Sequence, residues 1–258
     1  MKKTTISEQD KIMTVPFTVR SYESDASRRA TIQTICNYFQ ETAWLHAAHL
    51  GFALADREDH TQAWILLQLQ VRMRRYPLWG ETVHVSTWPS GKYRLYAYRD
   101  YDVRDDQGEC LATATSSWII IDVRHRRPQR IPEAFDHCIP LEKTHAPQTT
   151  PGETRIEMPE KPDAQAEFQV RLSDIDVNNH VNNVNFIEWA IESVPADWRS
   201  TRQLTELDVL FKAESNYGER IVSEFAAARP METALHRVCR PADAKTLMLA
   251  RTTWKPIP

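Results

Sequence analysis

Apolar side chains recur at Ile32, Ile35, Cys36, Phe39 and Ala43, the spacing of one helix face, and Gly51 stands where such a helix would stop. Downstream the period changes. "WILLQLQVRMRRY", "ETVHVSTW", "YRLYAYRDYDVRD" and "ECLATATSSWIIIDV" are rich in β-branched and aromatic residues and read as strands, with "DDQG" a turn before the last. The same order then returns. Val184, Ile187, Ile191 and Val194 make a second helical run ending at Pro195, and "ELDVLFKAES", "ERIVSEFAAA", "ALHRVCRP" and "TLMLARTTWKP" follow as strands. A short strand, a helix and a run of strands, twice over, predict an α+β fold in which each half packs an antiparallel sheet on one long helix.

The two halves also match residue by residue. At an offset of 151, Phe17, Val19, Arg20, Asp25 and Glu41 meet identical residues at Phe168, Val170, Arg171, Asp176 and Glu192. "YPLWGETV" then parallels "ESNYGERI" at an offset of 138, Gly80 onto Gly218. Two matches in the same order indicate a duplicated unit. Between the copies, "IPLEKTHAPQTTPGETRIEMPEKPD" is rich in proline and poor in large apolar residues, as an extended linker is. The expected division is therefore a first unit over 1–138, a linker over 139–163 and a second unit over 164–258.

Composition narrows the function classes. The formal net charge of -3 does not suggest a nucleic-acid binder. The four cysteines, Cys36, Cys110, Cys138 and Cys239, form no CxxC pair and read as free thiols. "MKKTTISEQDKIMTVPF" lacks the apolar core of a secretory signal, and "SSWIIIDV" is too short to span a membrane. A cytoplasmic protein is expected.

The densest chemistry lies in "DIDVNNHVNN" (174–183), which has three readings. Asp174, Asp176 and Asn178 begin a calcium-loop pattern, but Asn179 and Asn185 stand where that loop needs glycine and glutamate. Asn and Asp also cap helices, although one cap needs only one such residue. Thirdly, if Asp176 to His180 is extended, then Asp176, Asn178 and His180 project to one side. An acid, an amide and an imidazole would then converge beside a helix start, where unpaired N–H groups can stabilise an oxyanion. The sister segment "DASRR" keeps Asp25 but has Ser27 and Arg29 at the other two positions. That loss is expected if only one copy does chemistry. The second alignment likewise places Glu214 where the first copy has Tyr76, adding a carboxylate to the copy that carries the histidine.

"RLSDIDVNNHVNNVNFIEWAIESVP" is similar to plant and bacterial acyl-acyl-carrier-protein thioesterases, in the segment typified by a D-x-N-x-H-V-N-N pattern. "TWPSGKYRLYAYRDYDVRDDQGECLATATSSWIIIDVRHRRPQRIPE" and "VRSYESDASRRATIQTICNYFQETAWLHAAHLG" resemble the first half of the same family, so the likeness runs from about residue 12 to residue 256. The resemblance implies a tandem hotdog fold, with the acyl-chain pocket in the N-terminal copy and catalysis in the C-terminal one. It carries Asp176, Asn178 and His180 onto the family's motif and Glu214 onto its acidic position on a later strand. The plant pattern often has a cysteine after that glutamate. Here Ser215 occupies the position, with no activating partner evident from sequence, so a thiol acyl-enzyme is not expected.

The resemblance further implies a hydrolase that releases free fatty acid from acyl carrier protein (ACP) in fatty acid biosynthesis, with no cofactor and no metal. Asn178 would help position the thioester carbonyl, and His180 would act as base or donor. Glu214 would activate water alone or through His180. Asp176 would orient its neighbours or attack directly to give an anhydride. Ile32, Ile35 and Phe39 are candidates to line the acyl pocket. Arg126 and Arg127, in "RHRRPQR", are candidates to dock acidic ACP. A tandem chain already contains the pair that single hotdogs form, and a further homodimer stays open. An acyl-CoA thioesterase with the same site and a non-catalytic acyl-binding regulator are the competing readings.

Overall fold

A computed structural model describes residues 6–53, 61–141, 154–158, 160–228 and 232–257. Most of the expected linker, 142–153 and 159, lies outside the described residues. The chain divides into two units, Met1–Leu67 with Arg74–Thr150, and Gln68–Met73 with Pro151–Pro258.

In the first unit, helix α1 (Ile32–His49) buries Ile32, Ile35, Cys36, Phe39 and Ala43, the face that the spacing predicts. Thr31 caps its start by accepting from Thr34 N at 3.2 Å. Its end is closed by Gly51, whose φ of 76° lets Gly51 N and Phe52 N turn back to the carbonyls of Ala48 and Ala47. The strands are β1 (Met13–Thr18), β2 (Gln62–Met73), β3 (Thr82–Tyr93), β4 (Tyr96–Asp105), β5 (Cys110–Asp122) and β6 (Arg127–Gln129). They are ordered β1-β3-β4-β5-β2, with β6 on β5. The inward residues of this sheet meet the helix, as where Phe39 packs on Tyr101 with ring centroids 4.7 Å apart. The sequence pattern did not single out β6, which is only three residues long and lies inside a basic stretch.

The second unit repeats the plan with β7 (Ala164–Gln169), helix α2 (Asn183–Glu192), a short helix α3 (Ala196–Thr201), β8 (Arg202–Phe211), β9 (Arg220–Ala228), β10 (Thr233–Arg240) and β11 (Lys245–Pro256). The order is β8-β11-β10-β9-β7, and Gln68–Arg72 of β2 pairs antiparallel with β8. Here the helix stops at Glu192, before the expected Val194, because Pro195 cannot continue it and instead starts α3. Val184, Phe186, Ile187, Trp189 and Ala190 form its buried face. Each unit is thus a long helix on an antiparallel sheet, the hotdog plan.

The duplication holds at the level of single bonds. Val19 N donates to Glu81 O and Gly80 N to Val19 O; Val170 N donates to Glu219 O and Gly218 N to Val170 O. Trp118 Nε1 donates to Ser116 Oγ at 2.7 Å, and Trp254 Nε1 to Thr252 Oγ1 at 2.8 Å. Among the described residues no helix is long and apolar enough to cross a membrane.

Candidate active site

The polar stretch before α2 is a tight reversal rather than an extended segment. Ile175 bridges Val181, Asp176 N donates to His180 O at 2.8 Å, and Asn179 N donates to Asp176 O at 3.0 Å. Val177, Asn178 and Asn179 form the loop, and Asn179 takes the left-handed φ of 63° that closes it. The expected alternation along a strand therefore fails, since no strand exists between Asp176 and His180. The cause is Asp176 itself. Its Oδ1 accepts from Asn178 N at 2.8 Å, a local bond that competes with extended backbone. Its Oδ2 accepts from Asn178 Nδ2 at 3.3 Å, so the carboxylate also orients the amide.

Neighbouring residues anchor the turn. The buried Asp174 carboxylate accepts from Arg171 N at 2.7 Å and Arg171 Nη2 at 2.8 Å, which commits this first member of the calcium-like pattern to a guanidinium. Its carbonyl accepts from Asn182 N and Asn185 Nδ2, both at 2.9 Å. Asn182 is the capping residue, accepting from Val184 N at 3.1 Å. Asp174 was the residue whose role sequence reasoning missed. Its signal was Glu23, which does the same work in the first copy by accepting from Arg20 N at 2.8 Å.

Glu214 arrives from the other direction. It does not lie on a strand, as expected, but three residues beyond the end of β8. The strand stops because Lys212 N and Ala213 N both turn to Leu247 O, at 2.8 and 3.2 Å. Val181 N donates to Ser215 O at 2.9 Å and ties this loop to the turn. His180 Nε2 then lies 3.7 Å from Glu214 Oε2, with the two side chains 39% and 34% exposed. The separation exceeds a hydrogen bond, and both groups stay open to water. The arrangement is two polar pairs, Asp176 with Asn178 and His180 with Glu214, joined through the backbone of one turn.

Ser215 does have a partner. Its fully buried hydroxyl donates to Glu219 Oε2 at 2.6 Å. Burial pushes the Glu219 carboxyl up, but bonds from Ser215, Arg240 and Asn216 N outweigh it and hold the group at about 2. A carboxylate held so low is a weak base, and a hydroxyl with no exposed surface is out of reach of a substrate, so Ser215 is not arranged as a nucleophile.

Ile32, Ile35 and Phe39 are core residues, 5%, 0% and 2% exposed, so an acyl chain reaches them only if that core opens. Arg126 and Arg127 are exposed at the tip of the β5–β6 hairpin, where Asp122 pairs with Arg127 and Arg126 takes the left-handed conformation. Among the described residues no group of three His, Cys, Asp or Glu side chains could hold a metal ion.

Residues 10–139 match the acyl-ACP thioesterase N-terminal domain and residues 157–256 its C-terminal domain. The chain is 30% identical to a palmitoyl-acyl carrier protein thioesterase, chloroplastic, of Cuphea hookeriana, over 93% of this chain and 61% of that protein. It is 29% identical to an oleoyl-acyl carrier protein thioesterase of Arabidopsis thaliana, over 84% of this chain and 63% of that protein. The chain therefore spans about three fifths of the length of these relatives. Among solved structures, an acyl-ACP thioesterase from Bacteroides thetaiotaomicron superposes with a TM-score of 0.85 at 24% identity, covering 96% of this chain and all of that one. The 12:0-ACP thioesterase from Umbellularia californica gives 0.83 at 24% identity, covering 95% and 98%. These two similarities establish the shared fold.

Proposed function

We propose that this chain, which belongs to the acyl-ACP thioesterase family, hydrolyses fatty acyl-ACP to free fatty acid and ACP. The observation that carries the reading is the His180–Glu214 pair at 3.7 Å, in the turn that also bears Asn178 and in the copy whose sister has Arg29, Tyr76 and Ser27 at the matching positions.

The proposed reaction divides among these groups. Asn178, oriented by Asp176, donates to the thioester carbonyl as it becomes an oxyanion. His180 takes a proton from water, which attacks the carbonyl carbon, and Glu214 stabilises the resulting imidazolium. Collapse breaks the C–S bond, and the proton passes from His180 to the departing thiolate. Acid and thiol leave, and the residues return to their starting state. The two bonds from Asn178 to the Asp176 carboxylate support orientation rather than attack as the role of Asp176. Apposed catalytic pairs commonly lengthen without substrate, and the 3.7 Å separation suits that pattern.

The carrier docks, in this reading, on Arg126 and Arg127, whose exposed hairpin tip suits an acidic partner. The four cysteines are free thiols, which supports a reducing compartment such as the cytoplasm; the relatives named above are chloroplastic by name. Relatives named for palmitoyl- and for oleoyl-acyl carrier protein match almost equally, at 30% and 29% identity, so the chain length is left to the substrate profile below.

The deciding experiment measures turnover of one acyl group on ACP and on coenzyme A, then across ACP chain lengths. Faster turnover on ACP supports the proposal, and faster turnover on coenzyme A replaces the carrier. Acyl binding without turnover makes the protein a binder. Single-turnover hydrolysis in ¹⁸O water is expected to leave the Asp176 side chain unlabelled; label there would reassign Asp176 as nucleophile.

A further inference from the structure

We propose that Glu219 and Arg240 are positioning residues that hold the Glu214–Ser215 backbone against the His180 turn. The proposal rests on the reading of this site as catalytic. Glu219 Oε2 accepts from Ser215 Oγ at 2.6 Å, Asn216 N at 3.0 Å and Arg240 Nη1 at 2.8 Å. Arg240 Nη1 also lies 3.5 Å from Glu214 O, and its other arm is fixed by Asp243 Oδ2 at 2.8 Å. The knot therefore grips both residues that matter. One carries the candidate carboxylate, and the other offers the carbonyl that receives Val181 N, next to His180.

The first copy separates what the fold needs from what the site adds. There Glu81 Oε2 accepts from Leu78 N at 2.9 Å, as Glu219 does from Asn216 N, so a carboxylate closing this loop belongs to the scaffold. Its cation, however, is Arg75, which reaches Glu81 at 2.7 Å and Asp105 at 3.0 Å. In the second copy Ala213 stands in place of Arg75, and Arg240, the last residue of β10, stands where Asp105 ends β4. Pro77, which has no hydroxyl, stands where Ser215 does. Moving the cation across the knot and adding the hydroxyl create the bonds to Glu214 O and from Ser215 Oγ. Both fall on the segment bearing the candidate base, in the copy that bears it.

Purified full-length Arg240→Met is the test, with Arg75→Met as the matched scaffold variant. On the acyl thioester turned over fastest by the wild type, Arg240→Met is expected to lower kcat about 30-fold with KM within about threefold, since a misplacement of about 1 Å has effects of that order. Arg240→Lys is expected to recover most of the loss, and Arg75→Met to leave kcat unchanged. A crystal structure of Arg240→Met is expected to show His180 and Glu214 farther apart than 3.7 Å. Equal kcat in the two methionine variants, or an unchanged separation, overturns the proposal. If Arg240→Met does not fold, Glu219→Gln keeps the shape of the knot and is expected to lower kcat about tenfold; wild-type kcat in that variant overturns it. A wild type that turns over no acyl thioester refutes the proposed function instead, and the crystallographic separation still decides the role of Arg240.

Discussion

Asp25–Arg29 and Asp176–His180 are the same turn built twice. Asp25 N donates to Arg29 O at 2.8 Å and Asp176 N to His180 O at 2.8 Å; Arg28 N reaches Asp25 O at 2.9 Å and Asn179 N reaches Asp176 O at 3.0 Å. Arg28 and Asn179 both take the left-handed conformation, with φ of 62° and 63°. In each, the aspartate Oδ1 accepts from the amide two residues on, at 2.9 and 2.8 Å. Behind them, Ala30 N donates to Pro77 O and Val181 N to Ser215 O. With the backbone held constant, the difference lies in the side chains. The second turn presents an amide and an imidazole and faces a carboxylate. The first presents Ser27 and Arg29, and the buried phenol of Tyr76 stands in the carboxylate's place. The aspartate closes the turn in both copies, in the second its Oδ2 also holds the Asn178 amide, and the asparagine, histidine and glutamate are the additions that the proposed chemistry requires.

The sharpest way to break this comparison is paired substitution. His180→Ala and Asn178→Ala are each expected to lower kcat about 1,000-fold, the scale of a lost general base or oxyanion donor, while acyl binding persists. Arg29→Ala and Ser27→Ala, at the sister positions, are expected to change kcat less than about twofold. Equal losses in the two turns would remove the claim that only one copy is catalytic.

Next in size is acid stability, in which the two copies should behave alike. Among the described residues each has one fully buried histidine, His46 with Nε2 2.9 Å from Asp10 O, and His236 with Nε2 2.8 Å from Thr252 Oγ1. Burial, then the charge of Arg99, pushes His46 down to about 4; burial does the same to His236. Both bind protons more weakly folded than unfolded, so protonation favours the unfolded chain. Their contribution is complete above about pH 6.5 and is lost as the pH falls toward 4, by roughly 3 kcal/mol each. Glu219, held at about 2, acts in a lower window, from about pH 4.5 to 2. Urea unfolding at stepped pH checks this, and a flat profile between pH 6.5 and 4 would contradict it.

Smaller effects follow. Arg126→Glu with Arg127→Glu is expected to lower kcat/KM on acyl-ACP about tenfold at low salt, with little change on a small thioester; an equal change on both substrates would move docking elsewhere. The smallest effect concerns the turn itself. Asparagine tolerates the left-handed conformation better than arginine, so Arg28→Asn is expected to stabilise the protein by up to about 1 kcal/mol, read by thermal unfolding. A loss of stability would mean that the stack of Arg28 on Trp79, 4.9 Å from the ring centroid, outweighs the backbone cost.

Much of this was legible in the residues. The helix faces, the strands and the repeat follow from side-chain periods and identities that local backbone geometry imposes, so Ile32 to Ala43 and Val184 to Ile187 were placed before any tertiary contact was known. Asn178 and His180 stood out because one copy has what its sister lacks, and Asp176 because it stands with them in one short polar stretch. The turn geometry was not legible, because Asp176 bonding to its own chain two residues on competes with extended backbone, and composition does not say which wins. Nor were Asp174 and Arg240. Asp174 had no role once the calcium pattern failed on Asn179 and Asn185, and its bond to Arg171 is a matter of local geometry; Arg240 lies 26 residues beyond Glu214 by number.

By itself, then, the sequence determined two copies of one α+β unit and which copy carries the polar set, because hydrophobic period and internal identity are properties of the chain. Tertiary structure alone decided that Glu214 meets His180, that Ser215 is committed to Glu219 and that Arg240 reaches across to hold them. Those relations depend on where β8 ends and how β10 returns. Such distances are set by strand register and bulges, and no local pattern records them.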